Sequence, residues 1–155
     1  MSAALTAEPL AEVTRTVLEE ASFLFCDALA PDAEPWRGRI AEATLSFEGP
    51  CDGALTLRLP WALAREAAAN LLGCEPDDPE LDASALAAAG ELLNMISGSA
   101  LAAWFGAGAR WTLGVPSTRA LEGELPSTTG GDARVAFAVD AAPLEIEAVE
   151  RGRSG

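Results

Sequence analysis

The chain has 155 residues with a formal net charge of −14 at pH 7, and this length is enough for one domain with its own core. The negative charge argues against nucleic-acid binding, because phosphates need Lys and Arg to displace their counterions. With no His and three widely spaced cysteines, Cys26, Cys51 and Cys74, neither a disulfide framework nor a CxxC-type zinc site fits. Without a signal-peptide pattern or a convincing membrane span, we expect a cytoplasmic protein.

The N-terminal part of the chain has the apolar spacing of a helix. Thr6 is a candidate N-cap, and apolar residues recur at helical spacing as far as Ala28, so we expect a helix that stops at Ala30-Pro31. Residues 31–39 are predicted to form a loop in which Trp36 packs as a lid.

A β-hairpin and a second helix are predicted next. Apolar and polar residues alternate over 41–48 and again over 55–59, with turn residues at 49–53, which indicates two antiparallel strands. Pro60 can begin a helix, and Gly73 can end it.

The longest predicted helix follows an acidic linker over residues 75–82. Asp82 or Ser84 is the expected cap, and the helix should continue to the break at Gly106. A strand is then predicted over 111–116.

The C-terminal part is predicted to be rich in strands. We expect an extended segment over 117–125, a turn or loop over 126–132, and a central strand over 133–140 because that stretch is apolar on both faces. Alternation over 144–148 predicts a last, half-buried strand. The element order predicts an α/β (α+β) sandwich with three main helices and a largely antiparallel sheet, in a single domain 1–155 whose ends 1–5 and 151–155 fray.

The long helix has one apolar side and one unusual polar side. At about 100° per residue, Glu91 and Asn94 lie on the same side of the helix. The core face comprises Leu86, Ala89, Leu93, Ile96 and Ala100, flanked by Trp104. The side with Glu91 and Asn94 also carries the small residues Ala87, Gly98 and Ala102. A carboxylate and an amide are therefore predicted to project from a low helical surface.

Two structural explanations compete with a functional one for this pair. An acidic residue on a solvated helix face is ordinary, and an Asn inside a helix can hydrogen-bond a neighbouring segment. The low helix propensity of Asn and the small neighbouring residues favour function.

The segment Glu91-Leu-Leu-Asn94, followed by Pro116 in Trp-Thr-Leu-Gly-Val-Pro, resembles the Glu-x-x-Asn…Pro signature of the CheC/CheX/FliY chemotaxis phosphatases. The sequence Asn-Met-Ile-x-Gly around it resembles CheX more than CheC. Ala87 departs from the family, which usually carries Asp or Ser four residues before the Glu. On the first helix, Glu19 and Glu20 are followed three residues later by Ser22 and Phe23, so the second Glu-x-x-Asn site of CheC is absent.

The resemblance implies a single-site CheX-like protein of CheC-like fold that dephosphorylates the aspartyl-phosphate of a CheY-like response regulator. Asn94 would orient the attacking water, because a carboxamide both donates and accepts hydrogen bonds. Glu91 would pair with the receiver's active-site Lys. The chain would need no cofactor of its own, since the receiver supplies Mg²⁺, and a homodimer is expected.

Two other functions stay open. A module that binds a receiver without catalysis is favoured by Ala87 in place of a polar residue. A purely structural dimerisation domain is favoured by the apolar strand at 133–140 and by the unpaired edge of such a sheet.

Overall fold

The computed structural model describes residues 5–30, 32–75, 77–127 and 131–152, and three helices and seven strands lie within these ranges. In chain order the elements are α1 Ala7–Ser22, β1 Asp27–Ala28, β2 Trp36–Glu48, β3 Asp52–Pro60, α2 Trp61–Leu72, α3 Leu81–Phe105, β4 Thr112–Leu113, β5 Ser117–Leu125, β6 Ala133–Val139 and β7 Ala142–Gly152.

The seven strands form a single antiparallel sheet. Its order is β1-β6-β7-β3-β2-β4, and β5 also pairs with β2, along residues 36–44. Every strand pair is antiparallel. The predicted fold class, with its three main helices and antiparallel sheet, is confirmed.

The core lies between the helices and one face of the sheet. Alternate residues of β2, from Ala41 to Phe47, are buried on this face and belong to the same apolar cluster as Leu92, Leu93 and Ile96 of α3. The central helix is α3, which contacts both other helices as well as β2, β3 and β5. The packing of α3 against these elements determines which of its side chains face solvent.

The first helix is shorter than its apolar spacing predicts. Thr6 does occupy the N-cap position, without a side-chain cap bond, but α1 ends at Ser22 and not at Ala30. Phe23 adopts a left-handed conformation with φ 56°, and both Phe23 and Leu24 donate their backbone N–H to the carbonyl of Leu18. The chain then leaves the helix axis and forms β1.

The hairpin and α2 agree with the prediction, whereas the loop before the hairpin does not. Residues 36–39 belong to β2, because β5 provides a pairing partner for them. For α2, Pro60 is the N-cap and Gly73 the C-cap, with a φ of 71° that favours glycine.

The start of α3 differs from the predicted cap. Glu80 occupies the N-cap position, and Ser84 lies inside the helix. Asp82 lies in the first turn, where its carboxylate accepts a hydrogen bond from Trp61 Nε1 and pairs with Arg65 at 2.9 Å. The helix ends at Phe105 with Gly106 as its C-cap, in agreement with the predicted break at Gly106.

Two predicted strands need correction. The strand over 111–116 is reduced to β4, residues 112–113, and Val115 is 90% exposed. The segment 133–139 is a strand, but it is not central, since β6 is second from one end of the sheet, beside the two-residue β1. The extended segment 117–125 is confirmed as β5, and residues 128–130 of the predicted turn lie outside the described ranges.

The last strand was expected to be half-buried, yet both of its faces are buried over residues 143–148. Glu145, 1% exposed, accepts hydrogen bonds from the backbone N–H and hydroxyl of Ser127 and pairs with Arg58 and Arg134. Arg58 also contacts Glu42 and Glu147. The segment after β5 reaches across the outer face of the sheet and covers these charges. The alternation of residues within one strand cannot predict this burial, because the covering residues come from another part of the chain.

The chain ends are ordered further than predicted. Leu5 is buried, and β7 extends to Gly152. Residues 1–4 and 153–155, for which fraying is also predicted, lie outside the described ranges.

Candidate functional site

Helix α3 presents Glu91 and Asn94 to solvent. Both side chains are exposed, as is Ala87 one turn before Glu91, while Leu92 and Leu93 between them are fully buried. Residues three apart on a helix are neighbours on its surface, with Cβ atoms about 5–6 Å apart. The carboxylate and the carboxamide can therefore contact one partner molecule together.

Neither side chain has a structural task in the described part of the chain. Within those ranges, Glu91 forms no ion pair, and Asn94 forms no side-chain hydrogen bond with a neighbouring segment. Asn70 on α2 shows the contrasting case, because its side-chain amide donates to the carbonyl of Ser22 and joins two helices. The polar atoms of Glu91 and Asn94 are available to a ligand or partner.

Pro116 lies against α3 beside this pair. A Cβ added at Gly90, the residue before Glu91, would lie 3.5 Å from Pro116 Cβ and 3.3 Å from Thr118 Cγ2. The glycine thus lets the start of β5 approach the helix closely. The third element of the Glu-x-x-Asn…Pro pattern thus lies against α3 at the residue directly before Glu91.

The surface beyond Asn94 is low. A Cβ added at Gly98 would meet nothing within 4 Å, and Ala102 one turn further on is exposed. A partner can therefore approach Asn94 along the helix without meeting a large side chain.

A cleft of about 490 Å³ between α2 and α3 adjoins Glu91. Its walls come from both helices and are mainly apolar. The lining residues are Ala68, Leu71, Leu72, Ser84, Ala87, Ala88 and Glu91. The contribution of α2 to this surface was not predicted from the sequence. Leu72, at the end of α2, is 59% exposed because of how this helix packs on its neighbours.

The first helix holds no equivalent site. The hydroxyl of buried Ser22 donates to the carbonyl of Leu18 at 2.8 Å, and Phe23 has already left the helix. The carboxylate of Glu19 accepts a hydrogen bond from the backbone N–H of Cys26. These residues stabilise the end of α1, which agrees with a single-site arrangement.

The described side chains give little evidence for a nucleophilic cysteine or for a metal site. Burial, with a contribution from Glu19, raises the pKa of the Cys26 thiol to about 11, so the thiol is protonated at neutral pH. Over the residues that the structure describes, no three His, Cys, Asp or Glu side chains form a group that could hold a metal ion. The pair on α3 can instead bind a cation through Glu91 and a water molecule or phosphoryl oxygen through Asn94.

Helix α3 is long and apolar enough, by length and composition alone, to cross a membrane. In the most apolar 18-residue stretch of this helix, 56% is buried inside the fold. This burial is typical of the core helix of a soluble protein.

Comparison with known proteins identifies the family. The family profile described as chemotaxis phosphatase CheX matches residues 42–140, which include all of α3, Pro116 and most of the sheet. No curated protein matches the chain.

Several solved structures share the fold. A CheX from Desulfovibrio desulfuricans superposes with a TM-score of 0.70 at 19% identity, covering 93% of this chain and 97% of that one. A CheX from Vibrio vulnificus gives 0.69 at 21% identity, with 97% and 100% covered. The CheX of a CheX-CheY-BeF3-Mg²⁺ complex from Borrelia burgdorferi gives 0.66 at 19% identity, with 93% and 96% covered. The family profile and the fold agree, and the chain belongs to the CheX family of chemotaxis phosphatases.

Proposed function

We propose that this protein accelerates hydrolysis of the aspartyl-phosphate on a CheY-like receiver domain. The observation that carries the proposal is the pair Glu91 and Asn94, exposed on α3 and without a structural partner in the described residues. Membership of the phosphatase family and the CheX-CheY complex of a relative support a receiver as the partner.

Asn94 acts by positioning water. In the reaction, water attacks phosphorus, the bond between phosphorus and the aspartate oxygen breaks, and inorganic phosphate and a free carboxylate are released. Phosphoryl transfer depends mainly on placing the nucleophile in line and stabilising charge. A carboxamide accepts a hydrogen bond from the water and donates one to a phosphoryl oxygen. The Mg²⁺ in this site belongs to the receiver, and the chain contributes no metal.

Glu91 docks the receiver. Its carboxylate pairs with the active-site Lys of the receiver, which brings the phosphoryl group beside Asn94. Ala87 and Asn94, at four residues before and three residues after Glu91, carry no positive charge that would compete for the carboxylate.

The protein acts as a homodimer in the cytoplasm, where its receiver resides. Among the described strands, β5 pairs only with β2, so one side of this nine-residue strand keeps its backbone N–H and carbonyl groups available. A long edge of this kind is a template for pairing with a second copy.

A receiver-binding module without catalysis is the second candidate. Ala87 favours it, because an alanine side chain cannot form a hydrogen bond with the neighbouring Glu91 or Asn94.

A phosphate-release assay with a phosphorylated receiver separates the functions. Catalysis predicts turnover above the receiver's own rate, the binding module predicts a complex without turnover, and a structural dimerisation domain predicts neither.

A further inference from the structure

The apolar cleft between α2 and α3 is unlike an ordinary helix junction. Leu72 is 59% exposed and lines the cleft together with Leu71, while Ala87 on the facing helix is also exposed. An apolar concave surface with an exposed leucine at its rim is one on which another molecule can bury apolar area. No described side chain fills this space.

Charge complementarity identifies the occupant. Glu91 is the one charged side chain among the residues that line the cleft, and it stands at the same face as Asn94. A molecule bound here must therefore present an apolar group beside a cation. A receiver whose Lys pairs with Glu91 meets the second condition already.

We propose that the receiver inserts an apolar side chain into the cleft formed by Leu71, Leu72 and Ala87 while its Lys pairs with Glu91. This proposal rests on the proposed function and adds a second contact that selects the receiver. Ala87 is the selecting residue, because its single methyl group leaves the cleft open between Glu91 and Leu72. Receivers with a polar or charged residue at the matching position bury that group without a partner, and they are rejected.

Further exposed apolar side chains follow the end of α1. The side chain of Asn70 bonds the carbonyl of Ser22, which joins the end of α2 to the end of α1. Phe23 and Phe25, both more than 60% exposed, follow directly on the segment after Ser22. The joined ends of these two helices therefore carry exposed apolar side chains in addition to Leu72.

The test measures affinities of receiver domains from the same cell, each held in the phosphorylated conformation with beryllofluoride and Mg²⁺. Leu72→Asp and Ala87→Asp should each weaken binding of the cognate receiver by about tenfold or more, because a charge then faces the inserted apolar group. Ala87→Leu should weaken it similarly by filling the cleft. Leu72→Met, which keeps an apolar side chain of similar volume, should bind within about threefold of the unsubstituted protein.

Ala103→Asp is the matched control, since Ala103 is also an exposed alanine of α3 but lines the groove facing α1. It adds the same charge to the same helix and should leave receiver affinity unchanged. The Ala87→Asp result is decisive, because two effects on affinity have opposite signs. The added carboxylate near Glu91 attracts the receiver's Lys and by itself would tighten binding, whereas its charge facing the inserted apolar group weakens binding. Tighter or equal binding by Ala87→Asp and Leu72→Asp overturns the cleft contact while leaving the proposed function intact. An unsubstituted protein that binds no receiver overturns both.

Discussion

The two polar residues on α3 have different proposed roles, and their positions in the fold allow each role to be tested separately. Leu92 and Leu93, buried between Glu91 and Asn94, hold the helix on the sheet, so changes at the two exposed positions need not disturb packing. A loss of function on substituting either residue can therefore be assigned to contact with a partner.

Substitution of Glu91 tests docking. Truncating one partner of a charge pair that becomes buried on binding costs about 2–5 kcal/mol. Glu91→Ala should weaken receiver binding by that amount, and Glu91→Lys should weaken it further because it opposes two positive charges. A receiver whose Lys is changed to Glu should recover part of its binding to the Glu91→Lys protein.

The measurement is receiver affinity by titration calorimetry, with thermal unfolding as the control for folding. Equal affinities for the unsubstituted protein, Glu91→Ala and Glu91→Lys would contradict a docking role for this carboxylate. Such a result would leave the assignment of Asn94 unaffected.

At the scale of the element, α3 combines a buried core face with an exposed face kept low by small residues. Gly98 is the clearest case, since a helical glycine costs about 0.5–1 kcal/mol relative to alanine and a Cβ here meets nothing within 4 Å. Packing within the described fold does not require a glycine here, so we expect its role to lie in the approach of a partner.

Two substitutions at Gly98 separate stability from docking. Gly98→Ala should raise the free energy of unfolding by about 0.5–1 kcal/mol and retain activity. Gly98→Gln should also stabilise the helix, yet reduce phosphate release because its side chain stands beside Asn94. Denaturant unfolding and phosphate release on the same samples check both expectations. Full activity of Gly98→Gln would show that the low surface does not matter.

Features that depend on a single helix or strand could be predicted from the residue spacing within it. The 3.6-residue spacing within α3 correctly placed Leu93 and Ile96 in the core and Glu91 and Asn94 on the exposed side, but it did not assign Leu92, which is also fully buried. The same spacing failed for α1, because Leu24 continues the apolar pattern although Phe23 turns the chain out of the helix. The contribution of Leu72 to the cleft depends on how α2 packs against α3, which no local pattern contains.

At the scale of the whole molecule, a buried charge cluster joins five strands across the outer face of the sheet. Glu42 on β2, Arg58 on β3 and Glu145 on β7 form its centre, with Arg134 on β6 and Arg119 on β5 at its margins. Removing one member leaves its partners buried without compensation, which destabilises a fold even where the intact cluster adds little.

This cluster predicts a loss of stability in acid. Burial by itself raises the pKa of Glu42 and of Glu145, but hydrogen bonds from Arg119 and Arg58 to the first, and from Ser127 and Arg58 to the second, hold both pKa values below the ordinary 4.5. A carboxyl with a lowered pKa in the folded state stabilises the fold above its unfolded pKa, and this contribution disappears as the pH falls through the folded pKa.

Denaturant unfolding from pH 7 down to pH 3 checks this expectation. The unsubstituted protein should lose stability below about pH 4.5. Glu145→Gln should be less stable at pH 7, and the difference between the two proteins should shrink as the pH falls. A difference that stays constant with pH would contradict a contribution from the ionised carboxylate.

The proposed homodimer rests on the edge of β5 that pairs with no other described strand. Sedimentation at micromolar concentration should give twice the chain mass of 16.0 kDa. Lys substitution at exposed Ala120 in the middle of β5 should shift the protein toward monomer, because charged side chains on an edge strand oppose strand pairing. A monomer at all concentrations would contradict the dimer.

Asn94 is proposed to place the water that hydrolyses the receiver's aspartyl-phosphate. Asn94→Ala tests it most directly, because alanine is the better helix former and the exposed position should leave the fold intact. Phosphate release from the phosphorylated receiver should fall by about 10²-fold or more, to near the receiver's own rate, while receiver affinity stays within a few-fold. Release at the rate of the unsubstituted protein, with folding and affinity unchanged, would show that Asn94 does not position the attacking water.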